Sequence, residues 1–93
     1  MIKIGLYKRL KLWKHMGNEI YYNDVGNDNY NTDNVLMMDV GDTFKVVNTK
    51  NSGYANVTII FKGNTYTISG ISGAFKDGTF QYLGGDEEEE VIL

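Results

Sequence analysis

The chain has 93 residues, with 9 Lys and Arg against 12 Asp and Glu, a net charge of −3, and neither cysteine nor proline. That length supports one domain with a single modest core, and the missing cysteines exclude disulfide staples, thiolate metal sites and a cysteine nucleophile. No apolar run approaches the ~20 residues of a membrane-spanning helix, and Met1-Ile2-Lys3-Ile4-Gly5 lacks the pattern of a signal peptide, so the sequence predicts a soluble, cytoplasmic protein.

Residues 1–22 carry two competing periodicities. Ile2, Ile4, Leu6, Leu10, Leu12 and Met16 share one parity, and Lys3, Arg9, Lys11 and His15 share the other with Tyr7 and Trp13. This alternation predicts a strand with the aliphatic residues facing the core. Leu6, Leu10, Trp13 and Met16 also stand at helical spacing with Gly17 as a C-cap, so a short N-terminal helix is the alternative. In the strand reading, Gly17-Asn18 turns the chain back into Glu19-Ile20-Tyr21-Tyr22 as a hairpin. Residues 23–34, rich in Asn and Asp, offer little apolar area and read as a mobile loop.

From Val35 onward the pattern is β. Val35 to Asp39 and Phe44 to Val47 flank Val40-Gly41-Asp42 and predict a hairpin. Tyr54 to Phe61 is rich in β-branched and aromatic residues, and Gly63-Asn64 joins it to Thr65-Tyr66-Thr67-Ile68 through a primed turn. Asp77-Gly78 between Ala74-Phe75-Lys76 and Thr79 to Leu83 predicts a last hairpin. The expected fold is all-β, a small antiparallel barrel or sandwich of SH3-like or OB-like architecture over residues 1–83, followed by an acidic tail, residues 84–93.

The chemistry-bearing residues fall into three sets. Asp24, Asp28, Asp33, Asp39 and Asp42, with Asp86, Glu87, Glu88, Glu89 and Glu90 of the tail, make an acidic surface suited to a basic groove built for phosphate. Lys8, Arg9, Lys11, Trp13 and Lys14 combine cations with an indole, the ingredients of single-strand nucleic-acid binding. Ser69, Gly70, Ser72 and Gly73, with Tyr66 beside them, read either as a backbone nest for a small anion or as a bend between strands.

Other chemistry is poorly supplied. Asn27, Asn29, Asn31 and Asp33 alternate like calcium ligands, but Thr32 stands where a calcium loop needs glycine and Met38 where it needs a bidentate glutamate. His15 is the single histidine, and no glycine-flanked nucleophile accompanies it. The expectation is therefore a protein that is not an enzyme and needs no metal or cofactor.

Ten asparagines, seven tyrosines and no proline match the codon usage of AT-rich genomes, which include bacteriophages and mobile elements of low-GC bacteria. The leading functional expectation is a phage or mobile-element accessory protein that inhibits a host protein by presenting a nucleic-acid-mimicking acidic surface. The alternatives are a small nucleic-acid-binding barrel regulated by its tail, a virion or assembly subunit that can self-associate, and a protein that sequesters a small nucleotide.

Overall fold

The computed structural model describes residues 2–13, 17–27, 32–50 and 56–85. Its strands are β1 (Gly5–Arg9), β2 (Glu19–Tyr21), β3 (Val35–Met37), β4 (Thr43–Lys50), β5 (Asn56–Phe61) and β6 (Asn64–Ser69). One short helix, α1 (Ser72–Lys76), precedes the last strand, β7 (Phe80–Gly84). An antiparallel five-stranded sheet has the order β6-β5-β4-β1-β7, and β2 and β3 form a separate two-stranded ribbon. The expected β class holds, but β6 and β7 are the two edges of an open sheet rather than partners in a closed barrel. Among the described residues no helix is long and apolar enough to cross a membrane.

The β5–β6 hairpin forms with its turn one residue earlier than Gly63-Asn64. Phe61 pairs with Asn64, which leaves Lys62 and Gly63 as the central residues. Both have positive φ, 51° and 82°, as a type I′ turn requires.

Three other expected hairpins are replaced. The N-terminal strand does not pair with Glu19–Tyr21 across Gly17-Asn18, because β1 lies between β4 and β7 in the large sheet. β3 pairs with β2 instead of β4, because β4 is occupied on both sides by β1 and β5. The segment before Asp77-Gly78 is α1 rather than a strand. Its Ala74 is fully buried and its Phe75 packs edge-on against Tyr7, Phe44 and Phe80. The Asp77 amide closes the helix on the Gly73 carbonyl, and Gly78, at φ 86°, redirects the chain.

Residues 1–16 contribute a strand, as the alternation predicts, but with the opposite face inward. Gly5, Tyr7 and Arg9 are buried, whereas Ile4, Leu6, Leu10 and Leu12 are exposed. Tyr7 joins a cluster with Phe44, Phe75 and Tyr82, and its hydroxyl both donates to the Lys3 carbonyl and accepts from the Lys3 amide. This local pairing lets a phenol enter the core without an unmet polar atom.

The core lies between the inner face of the five-stranded sheet and a cover made by α1 and the β2–β3 ribbon. Val46, Val57, Ile59 and Ile68 come from the sheet, Ile20, Leu36 and Met38 from the ribbon and the residue after it, and Ile71 and Ala74 from the helical segment. The loop 23–34 is anchored at its ends. Asn23 is buried, its amide donates to the Thr67 carbonyl at the β6 edge, and its side chain donates to Ser69. Tyr22 and Asn34 are also bonded to each other, and residues 28–31 lie outside the described part of the chain.

Gly5 sits where β1 meets the irregular register of β7. Its φ is 141°, and a Cβ there would lie 2.7 Å from the Gly84 carbonyl oxygen and 2.8 Å from the Tyr82 ring. Gly5→Ala therefore forces the β1–β7 pairing apart and is expected to cost at least about 2 kcal/mol, read by denaturant unfolding. Lys62→Asn relieves a lysine held at positive φ and is expected to raise stability by about 0.5 kcal/mol in the same assay.

Candidate functional site

The inversion of β1 turns Leu6 and Lys8 to the outer face of the sheet. Register pairs Leu6 with Lys45 and Lys45 with Ile60, so these three residues form a row across β1, β4 and β5 on the side away from the core. Lys8 pairs with Thr43 on one side and Gln81 on the other, continuing the same face. Val47 and Asn48 are both exposed where the β4–β5 register shifts, and Leu83 is exposed at the corresponding irregularity of β7. Leu6, Val47, Ile60 and Leu83 remain 39%, 37%, 40% and 46% exposed. Scattered apolar residues at a surface are ordinary, whereas this face groups several of them around Lys8 and Lys45.

Charge is segregated about this sheet. Among the described residues the acids are Glu19, Asp24, Asp33, Asp39, Asp42 and Asp77, and none belongs to a strand of the five-stranded sheet. Lys8 and Lys45 are exposed on the outer face, where no carboxylate from the sheet offsets them. The face therefore combines aliphatic contact area with positive potential.

The basic set from the N-terminal segment does not stay together. Lys8 and Lys11 are exposed, while Arg9 has no exposed surface and Trp13 packs against the core near Gly73. Lys14, like His15, lies outside the described residues. Arg9 Nε donates to the Lys11 carbonyl at 3.0 Å, Nη1 to Met38 at 2.5 Å and Nη2 to Gly17 at 2.5 Å. Burial draws its pKa below the ordinary arginine value, and Asp39 and Asp42 act in the opposite direction. Arg9 is thus a structural strap, buried away from the expected nucleic-acid face, and Trp13 is half-buried against the core.

The acidic set is divided as well. Asp24 and Asp33 stand at the loop end of the ribbon, where Asp24 accepts from Asn34 at 2.8 Å. Asp39 and Asp42 stand at its other end, with the Asp39 amide bonded to the Asp42 carboxylate at 2.9 Å. β3 runs between the two groups. Asp28 and residues 86–90 lie outside the described residues.

In the proposed anion loop, Ser69 and Tyr66 have other partners. Ser69 is buried and donates to Asn56 at 2.6 Å while accepting from Asn23 at 2.9 Å. Tyr66 lies on the opposite face of β6 from Ser69 and meets the ring of Tyr22 edge-on at 4.9 Å. Ser72 and Gly73 belong to α1, a single turn whose existence the sequence reading did not anticipate. Between the inner sheet face and α1 there is a small void lined only by apolar side chains, among them Met38, Ile59, Phe75 and Phe80. It provides no polar group to orient a ligand.

Among the described residues there is no group of three or more His, Cys, Asp or Glu able to hold a metal ion. No family model, curated protein or solved structure matches this chain.

The different environments of neighbouring cations give a direct test. Arg9→Lys cannot reach three carbonyls with a planar fork, and it is expected to cost about 2–4 kcal/mol in denaturant unfolding. Lys8→Ala and Lys11→Ala, both at exposed sites, are expected to shift stability by no more than about 0.5 kcal/mol.

Proposed function

We propose that this protein is a non-enzymatic binding module that engages another protein through the outer face of its five-stranded sheet. The carrying observation is the row Leu6–Lys45–Ile60, extended by Lys8, Val47 and Leu83, on a face with no carboxylate from its own strands. Such a face fits a partner whose contact surface is apolar at its centre and acidic around it. This partner has the opposite charge from the basic groove that the acidic residues suggest.

Protein is favoured over nucleic acid by what the face lacks. Aromatic rings on which bases would stack are turned inward, including Tyr7, Phe44, Phe80 and the half-buried Tyr82. Among the described residues this face displays Lys8 and Lys45 without an arginine or an aromatic platform, a weak phosphate-tracking surface. Aliphatic side chains beside lysines are better matched to another polypeptide.

The test compares capture of bacterial proteins by the full chain and by two double variants at physiological salt. Lys45→Glu with Ile60→Ser is expected to reduce recovery of a specific partner at least about tenfold, a loss of ~1.4 kcal/mol in binding. Val35→Ser with Met37→Ser, on the exposed side of the ribbon, is expected to leave recovery unchanged. Retention by the sheet variant with loss by the ribbon variant overturns the assignment of the face, and recovery of nucleic acid in place of protein overturns the partner class.

A further inference from the structure

We infer that the outer face of the five-stranded sheet docks the outward side of the β2–β3 ribbon of a second copy, so that the chain joins head to tail. The inference rests on reading that face as the surface that engages a protein, and it names the partner. The ribbon has the composition such a partner needs, apolar at its centre and acidic around it.

The two surfaces come from stretches of opposite charge. Residues 17–42, which include β2 and β3, carry Glu19, Asp24, Asp28, Asp33, Asp39 and Asp42 with no Lys, Arg or His. Residues 43–76, which include β4, β5 and β6, carry Lys45, Lys50, Lys62 and Lys76 with no Asp or Glu. The fold sets these stretches in different layers, with Ile20 and Leu36 of the ribbon and Val46, Val57 and Ile59 of the sheet turned toward the shared core.

On the ribbon, register opposes Met37 to Glu19 and Val35 to Tyr21, on the side away from Ile20 and Leu36. Met37 and Val35 are 56% and 42% exposed. Asp39, also exposed, follows Met37 by two residues. Two exposed apolar side chains edged by carboxylates thus point outward. On the sheet, Leu6 and Ile60 flank Lys45 in a row of two inter-strand steps, about 10 Å long. Val35 and Met37, two residues apart on one strand, stand about 7 Å apart, so the pair fits within that row. Aliphatic contact at the centre supplies affinity, and the meeting of Glu19 and Asp39 with Lys8 and Lys45 at the edge sets orientation. The two surfaces lie on opposite sides of the core, so each contact leaves one of each unused at the ends. Such a contact propagates or closes into a ring and does not stop at a twofold dimer.

Sedimentation of the full chain over a concentration series tests the inference. Expected is an average mass that rises past that of two protomers by about 1 mM, with association weakened severalfold in 1 M salt, where the Debye length contracts to about 3 Å. Lys45→Glu with Ile60→Ser removes the sheet surface, Val35→Ser with Met37→Ser removes the ribbon surface, and each variant alone is expected to stay monomeric. Mixed, they are expected to form a dimer of one copy of each and nothing larger, because one retains an intact ribbon and the other an intact sheet face. If a double variant unfolds, which circular dichroism reports, Lys45→Glu and Met37→Ser as single variants repeat the mixing. A wild-type chain that stays monomeric at about 1 mM, a mixture that stays monomeric, a variant that still self-associates alone, or association unchanged in 1 M salt overturns the inference. None of these results closes the sheet face to a different protein, which the capture experiment reads separately.

Discussion

A guanidinium sealed inside a small β domain sets the terms for the rest of this structure. Arg9 reaches the carbonyls of Lys11, Gly17 and Met38, which belong to the chain after β1, the turn before β2 and the end of the ribbon. Taking a charge out of water is costly unless its hydrogen-bonding capacity is met, and these bonds meet it from three directions. Asp39 and Asp42 add favourable charge nearby. One side chain thereby binds the sheet to the ribbon that covers it.

The strap also decides which way β1 faces. Burial of Arg9 fixes odd-numbered residues inward, so Gly5 and Tyr7 follow it into the core and Leu6 and Lys8 turn outward. Tyr7 supplies the apolar area that this arrangement needs by stacking with Phe44 and meeting Phe75 edge-on. The exposure of Leu6 and Lys8 on the outer face is therefore a consequence of the same contacts that stabilise the interior. Structure and candidate function are coupled at β1.

Charge follows the division into sheet and ribbon. The ribbon and its flanking turns carry Glu19, Asp24, Asp33, Asp39 and Asp42, while the sheet's outer face displays Lys8 and Lys45. Among the described residues the two layers thus carry exposed charges of opposite sign, in a chain whose net charge is −3. Net charge alone conceals this, because potential depends on which residues the fold places side by side. The aliphatic residues among the lysines turn a weak electrostatic surface into one with contact area to bury.

Elements whose signals are local can be read from the residues alone. Alternation marked β1, and the β-branched run with its glycine turn marked the β5–β6 hairpin to within one residue. The sheet pairing was not local. β3 resembled a partner for β4, yet β4 bonds to β1 and β5 and leaves β3 to β2. Asp77-Gly78 matched a hairpin turn, but glycine at positive φ also terminates a helix, and burial of Ala74 and Phe75's contacts with the aromatic cluster selected that outcome. For the candidate site, neither the exposure of Lys8 nor the burial of Arg9 was legible: alternation groups Lys8 with Leu6 and Leu10, and the burial of Arg9 depends on carbonyls from Lys11, Gly17 and distant Met38 converging on one fork. Strand parity indicates which residues share a face. Only the tertiary structure decides which face is inside, since that depends on every group packed against it.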